Sequence, residues 1–381
     1  MKRLATAPHR LYFFLGALAI FCLFFWWWGQ IQFAPSLAIP LHGLIMPLGV
    51  FPLFILGFTF TAGPRWISVD GPERYFLFFG STYFSGLIAV IMANLFAMPA
   101  LLSMGFALML VTWLSVTIRW GLLLRKSKAI DKKHGMALLL AMCGGVAALT
   151  TTLYWSLGHS ACWIVARQLS LYGFLLPVFL TVCHRMLPFF SNNVLKPYEM
   201  WRPDGLLAGW LIGCTVMTVS GSMGWSGVET FTACGLSISF AYTSWRWGLL
   251  RCLQNRMLAM LHLSFAWLTL VFALQAAAAL GLNVGSAGIH ALGLGFMGTM
   301  LVGFVTRVSY GHSGRPLQVA NPMWLLYLGL HGAALLRIIA SLSGIVWLVH
   351  ASAALWLLLI ACWIAAMIPV YLQARVDGQA G

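Results

Sequence analysis

The stretch that decides the fold is Leu11–Trp28, LYFFLGALAIFCLFFWWW, a run of 18 residues without a charged side chain. An α-helix rises about 1.5 Å per residue, so this run nearly matches the bilayer's hydrocarbon core of about 30 Å. The basic segment at residues 1–10 gives it the charge pattern of a signal sequence, but no small-residue cleavage site follows. We therefore expect a retained first membrane span.

The same apolar pattern continues along all 381 residues, of which 61% are hydrophobic and only 8% charged, with a mean hydropathy of +0.90. This composition excludes a soluble globular protein. It predicts an all-α polytopic integral membrane protein, with residues 1–381 forming a single transmembrane domain of about 12 helices. The predicted spans are residues 11–28, 43–63, 76–95, 99–123, 136–155, 164–187, 205–224, 228–250, 257–280, 287–308, 321–342 and 345–371.

The formal net charge of +15 does not indicate a nucleic-acid partner, because the basic residues lie in short loops between spans and form no patch with interleaved aromatics. If the N-terminus is cytoplasmic, 20 of the 22 lysines and arginines fall on the inner side, which leaves Arg167 and Arg337 on the outer half. Cytoplasmic loops are enriched in Lys and Arg. The sequence therefore predicts that both termini are cytoplasmic.

Acidic residues and cysteines limit the possible chemistry. The seven carboxylates all fall in loops, at span edges or in the tail: Asp70, Glu73, Asp131, Glu199, Asp204, Glu229 and Asp377. Ion-coupled carriers commonly place Asp or Glu near the membrane midplane, so this pattern disfavours a carboxylate-coupled transporter. The eight cysteines form no C-x-x-C pair and no C-x-x-C-H motif, which argues against a thiol redox site and covalent haem attachment.

Histidine is the ionisable residue that the spans do contain. The expected topology places His42, His290 and His350 in the outer part of the membrane, His331 near the middle and His262 in the inner third. Neutral imidazole is a common ligand of haem iron and of copper. These histidines are candidates for a metal or haem site, and hydrogen-bonded packing residues are the alternative for each of them.

Two further features bear on such a site. His42 and Met46 lie four residues apart on one helix face, a pair that can hold copper or haem iron. Methionine also commonly fills apolar cores, which is the alternative for Met46. Arg337 and Arg167 could pair with the carboxylates of a haem or extend to lipid headgroups.

The segment from His290 to Leu317 reads HALGLGFMGTMLVGFVTRVSYGHSGRPL and contains a G-x-G-x-x-G match at Gly293, Gly295 and Gly298. A dinucleotide-binding loop follows a β-strand in a soluble βαβ unit, and this match lies inside a predicted span. Small residues recur there at every fourth position: Ala291, Gly295, Thr299 and Gly303. The pattern predicts a face on which another helix packs closely, with a flat macrocycle as the alternative occupant.

Residues 290–317 resemble the signature of the NnrS family. The segments CHRMLPFFSNNVL at 183–195 and HGLIMPLGVFPLFILGFTFTAGPRW at 42–66 are similar to two further parts of that family. The family often shows His-x-His-Glu-Met in the second span, where this chain has His42, Gly43, Leu44, Ile45 and Met46. The second histidine and the glutamate are absent, so the resemblance favours haem binding over copper binding here.

The resemblance implies a twelve-span protein of the bacterial inner membrane that binds haem and copper and is linked to nitric oxide stress. It makes His42 and His290 the first ligand candidates, followed by His331 and His350, with Arg337 beside the cofactor and His42, Met46 and His290 as metal ligands. Arg307, His312 and Arg315 would cap the tenth span on the inner side, toward lipid headgroups or a haem carboxylate, or would serve topology alone.

The implied partners are haem, the lipid bilayer and nitric oxide or another diatomic molecule. Whether a haem-dependent, nitric-oxide-related activity follows is left open by the sequence. Two other functions are compatible with the residues. One is a small-molecule or metal transporter or channel with a histidine-lined path, and the other is a sensor or assembly factor without catalysis.

Overall fold

The computed structural model describes residues 2–33, 35–70 and 76–379, and within these the chain is helical without a β-strand. Glu73 lies outside the described residues, and so does Arg74, which the topology prediction placed on the inner side. The helices are α1 Pro8–Phe33, α2 Pro35–Val50, α3 Pro52–Trp66, α4 Phe76–Leu95, α5 Pro99–Lys126, α6 Lys133–Ser156, α7 Cys162–Gln168, α8 Leu176–Val194, α9 Asp204–Met223, α10 Ser226–Arg246, α11 Leu249–Cys252, α12 Arg256–Ala279, α13 Ala287–His290, α14 Thr299–His312, α15 Asn321–Ser343 and α16 Val346–Leu372. The predicted all-α class is confirmed.

Eleven helical segments of the described chain are long and apolar enough to cross a membrane, which confirms a multi-pass membrane protein. The eighth predicted span, 228–250, corresponds to α10, which has 21 residues and falls outside this apolar set. Its sequence SGVETFTACGLSISFAYTSWR is rich in Ser and Thr. Hydroxyls of Thr230 and Thr243 donate to the carbonyls of Ser226 and Ser239, four residues earlier, which lowers the cost of burying them.

The second predicted span, 43–63, is broken into α2 and α3 at Phe51. Pro52 has no backbone N–H and cannot continue the hydrogen-bond ladder of α2, and it is favourable as the first residue of the next helix. Pro40 and Pro47 interrupt the ladder of α2 itself. His42 and Met46 therefore lie on a short, proline-containing helix.

Two segments are π-helical: Leu169–Leu175 between α7 and α8, and Ala291–Gly298 between α13 and α14. We call them the first and the second π segment. A π turn accommodates an extra residue, widens the helix locally and occurs frequently at functional sites. The second π segment contains the three glycines of the G-x-G-x-x-G match, so these glycines belong to a helix and not to a phosphate-binding loop.

The chain divides into two compact units, Met1–Val178 with Ala366–Gly381, and Phe179–Ala365. In the first unit, α5 packs between α4 and α6. Trp113 and Trp120 of α5 donate their indole N–H groups to the carbonyls of Met142 and Gly135 on α6, each at 3.0 Å. These bonds satisfy two polar groups that would be costly to leave unpaired inside a membrane.

In the second unit, α12 is the central helix and contacts α10, the second π segment and α14. The predicted small-residue face packs against it. A Cβ atom on Gly295 would lie 2.5 Å from the Trp267 ring, and one on Gly303 would lie 3.2 Å from Leu261. The predicted close packing of another helix on this face is therefore confirmed.

Arg10 connects the two ends of the chain within the first unit. Its guanidinium is buried and donates to the carbonyls of Tyr371 at 3.1 Å and Gln373 at 2.8 Å, at the C-terminal end of α16. The first helix therefore begins where the last helix ends. An odd number of membrane crossings would place these two points on opposite sides of the membrane. Their contact therefore indicates an even number, which supports α10 as a span in addition to the eleven apolar helices.

Replacing Arg10 with Gln is expected to destabilise the protein by about 2 kcal/mol, because carbonyls at a helix C-terminus lose a charge-assisted donor. Thermal unfolding of the purified protein in detergent measures the change. Arg3→Gln is the matched control, since Arg3 is exposed in the same N-terminal region. Equal unfolding midpoints for the two variants would contradict the role given to Arg10.

Candidate functional site

His290 ends α13, immediately before the second π segment. Its Nδ1 lies 2.9 Å from the carbonyl oxygen of Ser286, four residues earlier. A carbonyl oxygen only accepts, so Nδ1 carries the proton, and in the neutral ring Nε2 keeps the lone pair. Metal-binding histidines commonly have this arrangement, with one ring nitrogen donating to a carbonyl and the other binding the metal. His290 therefore meets the chemical requirement for a metal ligand.

Arg337 on α15 contacts Ser286, the same residue that His290 bonds. Its guanidinium donates to the hydroxyl of Ser341 at 2.6 Å and to the hydroxyl of Ser286 at 3.2 Å. Among the described residues, no carboxylate pairs with it. Ser286 thus connects the two predicted site residues, since its carbonyl bonds His290 and its hydroxyl bonds Arg337.

His331, also on α15, is the opposite tautomer to His290. Trp267 of α12 donates its indole N–H to Nδ1 of His331 at 2.7 Å. An indole nitrogen only donates, so Nδ1 holds the lone pair and the neutral ring carries its proton on Nε2. A ring flip would place a carbon 2.7 Å from the indole nitrogen, too close for a C···N contact, so the ring orientation is well determined. His331 is a poorer metal ligand than His290, because both of its nitrogens would then have to be deprotonated.

A network of hydroxyl groups lies beside the Trp267–His331 pair. Tyr327 of α15 hydrogen-bonds the Ser264 hydroxyl at 2.8 Å and the carbonyl of Met260, and Ser264 bonds the Thr299 hydroxyl at 2.8 Å. Thr299 in turn donates to the carbonyl of Gly295 in the second π segment. The Tyr327 ring meets His331 edge-on, with centroids 4.6 Å apart. Three helices and the second π segment are thereby fixed around His331.

His42 and Met46 lie in the first unit, on successive turns of α2. The imidazole of His42 stacks on the Trp27 indole, with centroids 3.7 Å apart and planes at 24°. The stacking covers one face of the imidazole ring. Trp163 of α7 donates to the carbonyl of Pro40 at 2.8 Å and packs against Gly43. It therefore contacts α2 on both sides of Leu41 and His42.

His350 is half-buried near the start of α16, in the second unit with His290, His331 and Arg337. Within the described parts of the chain, no three His, Cys, Asp or Glu side chains form a group able to hold a metal ion. The arrangement that the structure does bring together is His290, Ser286 and Arg337, with His331 and Trp267 against the adjoining π segment.

Sequence reasoning missed a second buried polar cluster in the second unit. Nε2 of His262 lies 2.9 Å from the hydroxyl of Ser191, which is 3.8 Å from the sulfur of Cys252. Burial raises the pKa of the Cys252 thiol to about 11, so the sulfur is a neutral thiol at physiological pH. Because a thiolate is the form that binds metals, this cluster is a weak metal site.

The predicted inner cap of the tenth span is only partly exposed. Arg307 is buried, and its guanidinium lies 3.9 Å from the ring centroid of Phe190 on α8. This cation–π contact joins two of the motif segments, 183–195 and 290–317, inside the second unit. Arg307 packs against an aromatic ring, and its contact with a lipid headgroup or a haem carboxylate stays a prediction.

The fold and this site define a class, that of polytopic helical membrane proteins with buried histidine and arginine side chains in their spans. Within that class, the chain belongs to the NnrS family, because the model of the family described as NnrS protein matches residues 3–375. The predicted resemblance is confirmed, and with it a link to nitric oxide stress. No curated protein and no solved structure shows significant similarity to the chain.

Proposed function

We propose that this protein binds haem in the bacterial inner membrane and acts in the response to nitric oxide, with His290 as the haem ligand. The observation that carries the proposal is the His290–Ser286–Arg337 arrangement. It combines a ring whose Nε2 holds the lone pair with a guanidinium that pairs with no described carboxylate. Both suit haem, since its iron accepts an imidazole nitrogen and its propionates pair well with arginine.

Arg337 also favours haem over a bare metal ion as the group beside His290. A guanidinium close to the ligand repels a free cation such as copper, and it attracts a group that brings its own carboxylates. Copper remains a secondary proposal, with His42 and Met46 of the first unit as its predicted ligands. His42 supplies an imidazole and Met46 a soft thioether one turn apart on α2, and copper accepts both.

When bound, haem supplies an iron that can coordinate a diatomic molecule. The residues of this chain hold and orient the group. Ser286 fixes the tautomer of His290 and positions the Arg337 guanidinium, and Trp267 and Tyr327 hold the His331 imidazole in place.

Purification tests the proposal directly. The full-length protein, expressed with ample haem, is expected to show a Soret band and a pyridine haemochrome that correspond to a stoichiometric cofactor. Metal analysis of the same sample measures iron and copper separately. A colourless, metal-free protein would contradict haem binding and would favour the alternative, a transporter or channel with a histidine-lined path.

A further inference from the structure

His331 has one ring nitrogen whose proton meets no protein acceptor. Nδ1 accepts the indole N–H of Trp267, so the proton lies on Nε2. Nε2 is buried, and no other described residue accepts a hydrogen bond from it. An unpaired buried donor costs about 1–3 kcal/mol, so a donor held in this position indicates a ligand that accepts its hydrogen bond.

The surroundings of His331 indicate the charge of that ligand. The imidazole lies nearly parallel to the Trp267 indole, at 15° with centroids 6.0 Å apart, and the Tyr327 ring meets it edge-on. The Tyr327 hydroxyl is already bonded to Ser264 and Met260. Two aromatic rings contact this imidazole, and an ionic ligand is costly to bury against them, so a small uncharged molecule with one acceptor atom fits best.

Trp267 brings His331 to the segment that follows His290. The indole lies directly on Gly295, where even a Cβ atom would be 2.5 Å from the ring, and Gly295 comes five residues after His290. His290 and the Trp267–His331 pair therefore border the same π segment. Both histidines have a fixed tautomer. His290 carries a lone pair on Nε2, whereas His331 carries a proton on Nε2.

From this contrast we infer that His331 is a hydrogen-bond donor to a small uncharged diatomic ligand, and that it does not bind the metal. This inference rests on the proposed function, because it names the ligand class of the same site. Trp267 is the positioning residue: it holds Nδ1 as an acceptor and so keeps the proton on Nε2.

Nitrogen NMR of the full-length protein, labelled with ¹⁵N-histidine, tests the tautomer without any cofactor. The His331 signals are assigned by their loss in His331→Leu. We expect a protonated Nε2 and a bare Nδ1, and Trp267→Phe should introduce the other tautomer. A bare Nε2 in the wild-type protein would overturn the inference whether or not haem is bound.

Infrared spectroscopy tests the ligand contact, with carbon monoxide added to the reduced, haem-loaded protein as the probe. His331→Leu should keep the wild-type haem content and shift the C–O stretch to higher frequency, because a donor to the bound molecule is lost. His331→Gln keeps an N–H donor and should shift it less. Loss of haem in His331→Leu, or an unchanged stretch, would overturn the inference, whereas a wild-type protein without a Soret band would contradict the proposed function.

Discussion

Replacing His290 with Ala is expected to remove most of the bound haem, seen as the loss of the Soret band from purified protein. Partners that only orient a metal ligand contribute about 10–100-fold to affinity, and removal of the ligand itself should cost at least as much. His159→Ala is the matched control, because His159 is exposed in the loop between α6 and α7. It should keep the wild-type ratio of haem to protein.

Added imidazole separates loss of a ligand from loss of the fold. The His290→Ala variant leaves space at the end of α13 where a free imidazole can take the place of the side chain. We expect imidazole to restore part of the Soret absorbance of this variant and to leave that of His159→Ala unchanged. A full Soret band in His290→Ala without imidazole would show that another residue holds the iron.

The fold was predictable from the sequence because its signals are local. Apolar runs bounded by charges predict span limits, and each of the twelve predicted spans falls on a helix. The break between α2 and α3 at Phe51 also has a local signal, Pro52, although residues 43–63 were predicted as one span. The two π segments have no such signal, since a change from i→i+4 to i→i+5 bonding alters neither composition nor apolar spacing.

The site was predictable only in part, because depth in a membrane fixes one coordinate of three. Similar depth grouped His42 of the first unit with His290 of the second, and that grouping stays a prediction. The Ser286–His290 bond spans four residues on one helical turn and could have been predicted from spacing. The Trp267–His331 bond joins residues 64 positions apart, and no pattern in the sequence identifies it.

Among the stability variants, the largest effect is expected for Gly144→Ala on α6. A Cβ atom there would overlap with the carbonyl oxygen of Gly173 in the first π segment. The backbone of α6 fixes the Cβ position and the carbonyl oxygen belongs to the backbone of the first π segment, so relief requires one helix to move and cannot come from a rotamer change. Overpacking of this kind commonly costs about 3 kcal/mol, and the unfolding midpoint in detergent should fall accordingly.

Gly121→Ala on α5 provides the control for this variant. A Cβ atom on Gly121 would lie 3.8 Å from Leu139, an ordinary contact, so the substitution should be neutral or stabilise by about 0.5–1 kcal/mol through helix propensity. Both variants change a mid-helix glycine to alanine in the first unit and differ in what the new methyl group meets. If Gly144→Ala unfolds at the same temperature as Gly121→Ala, then α6 and the first π segment do not approach each other as closely as described.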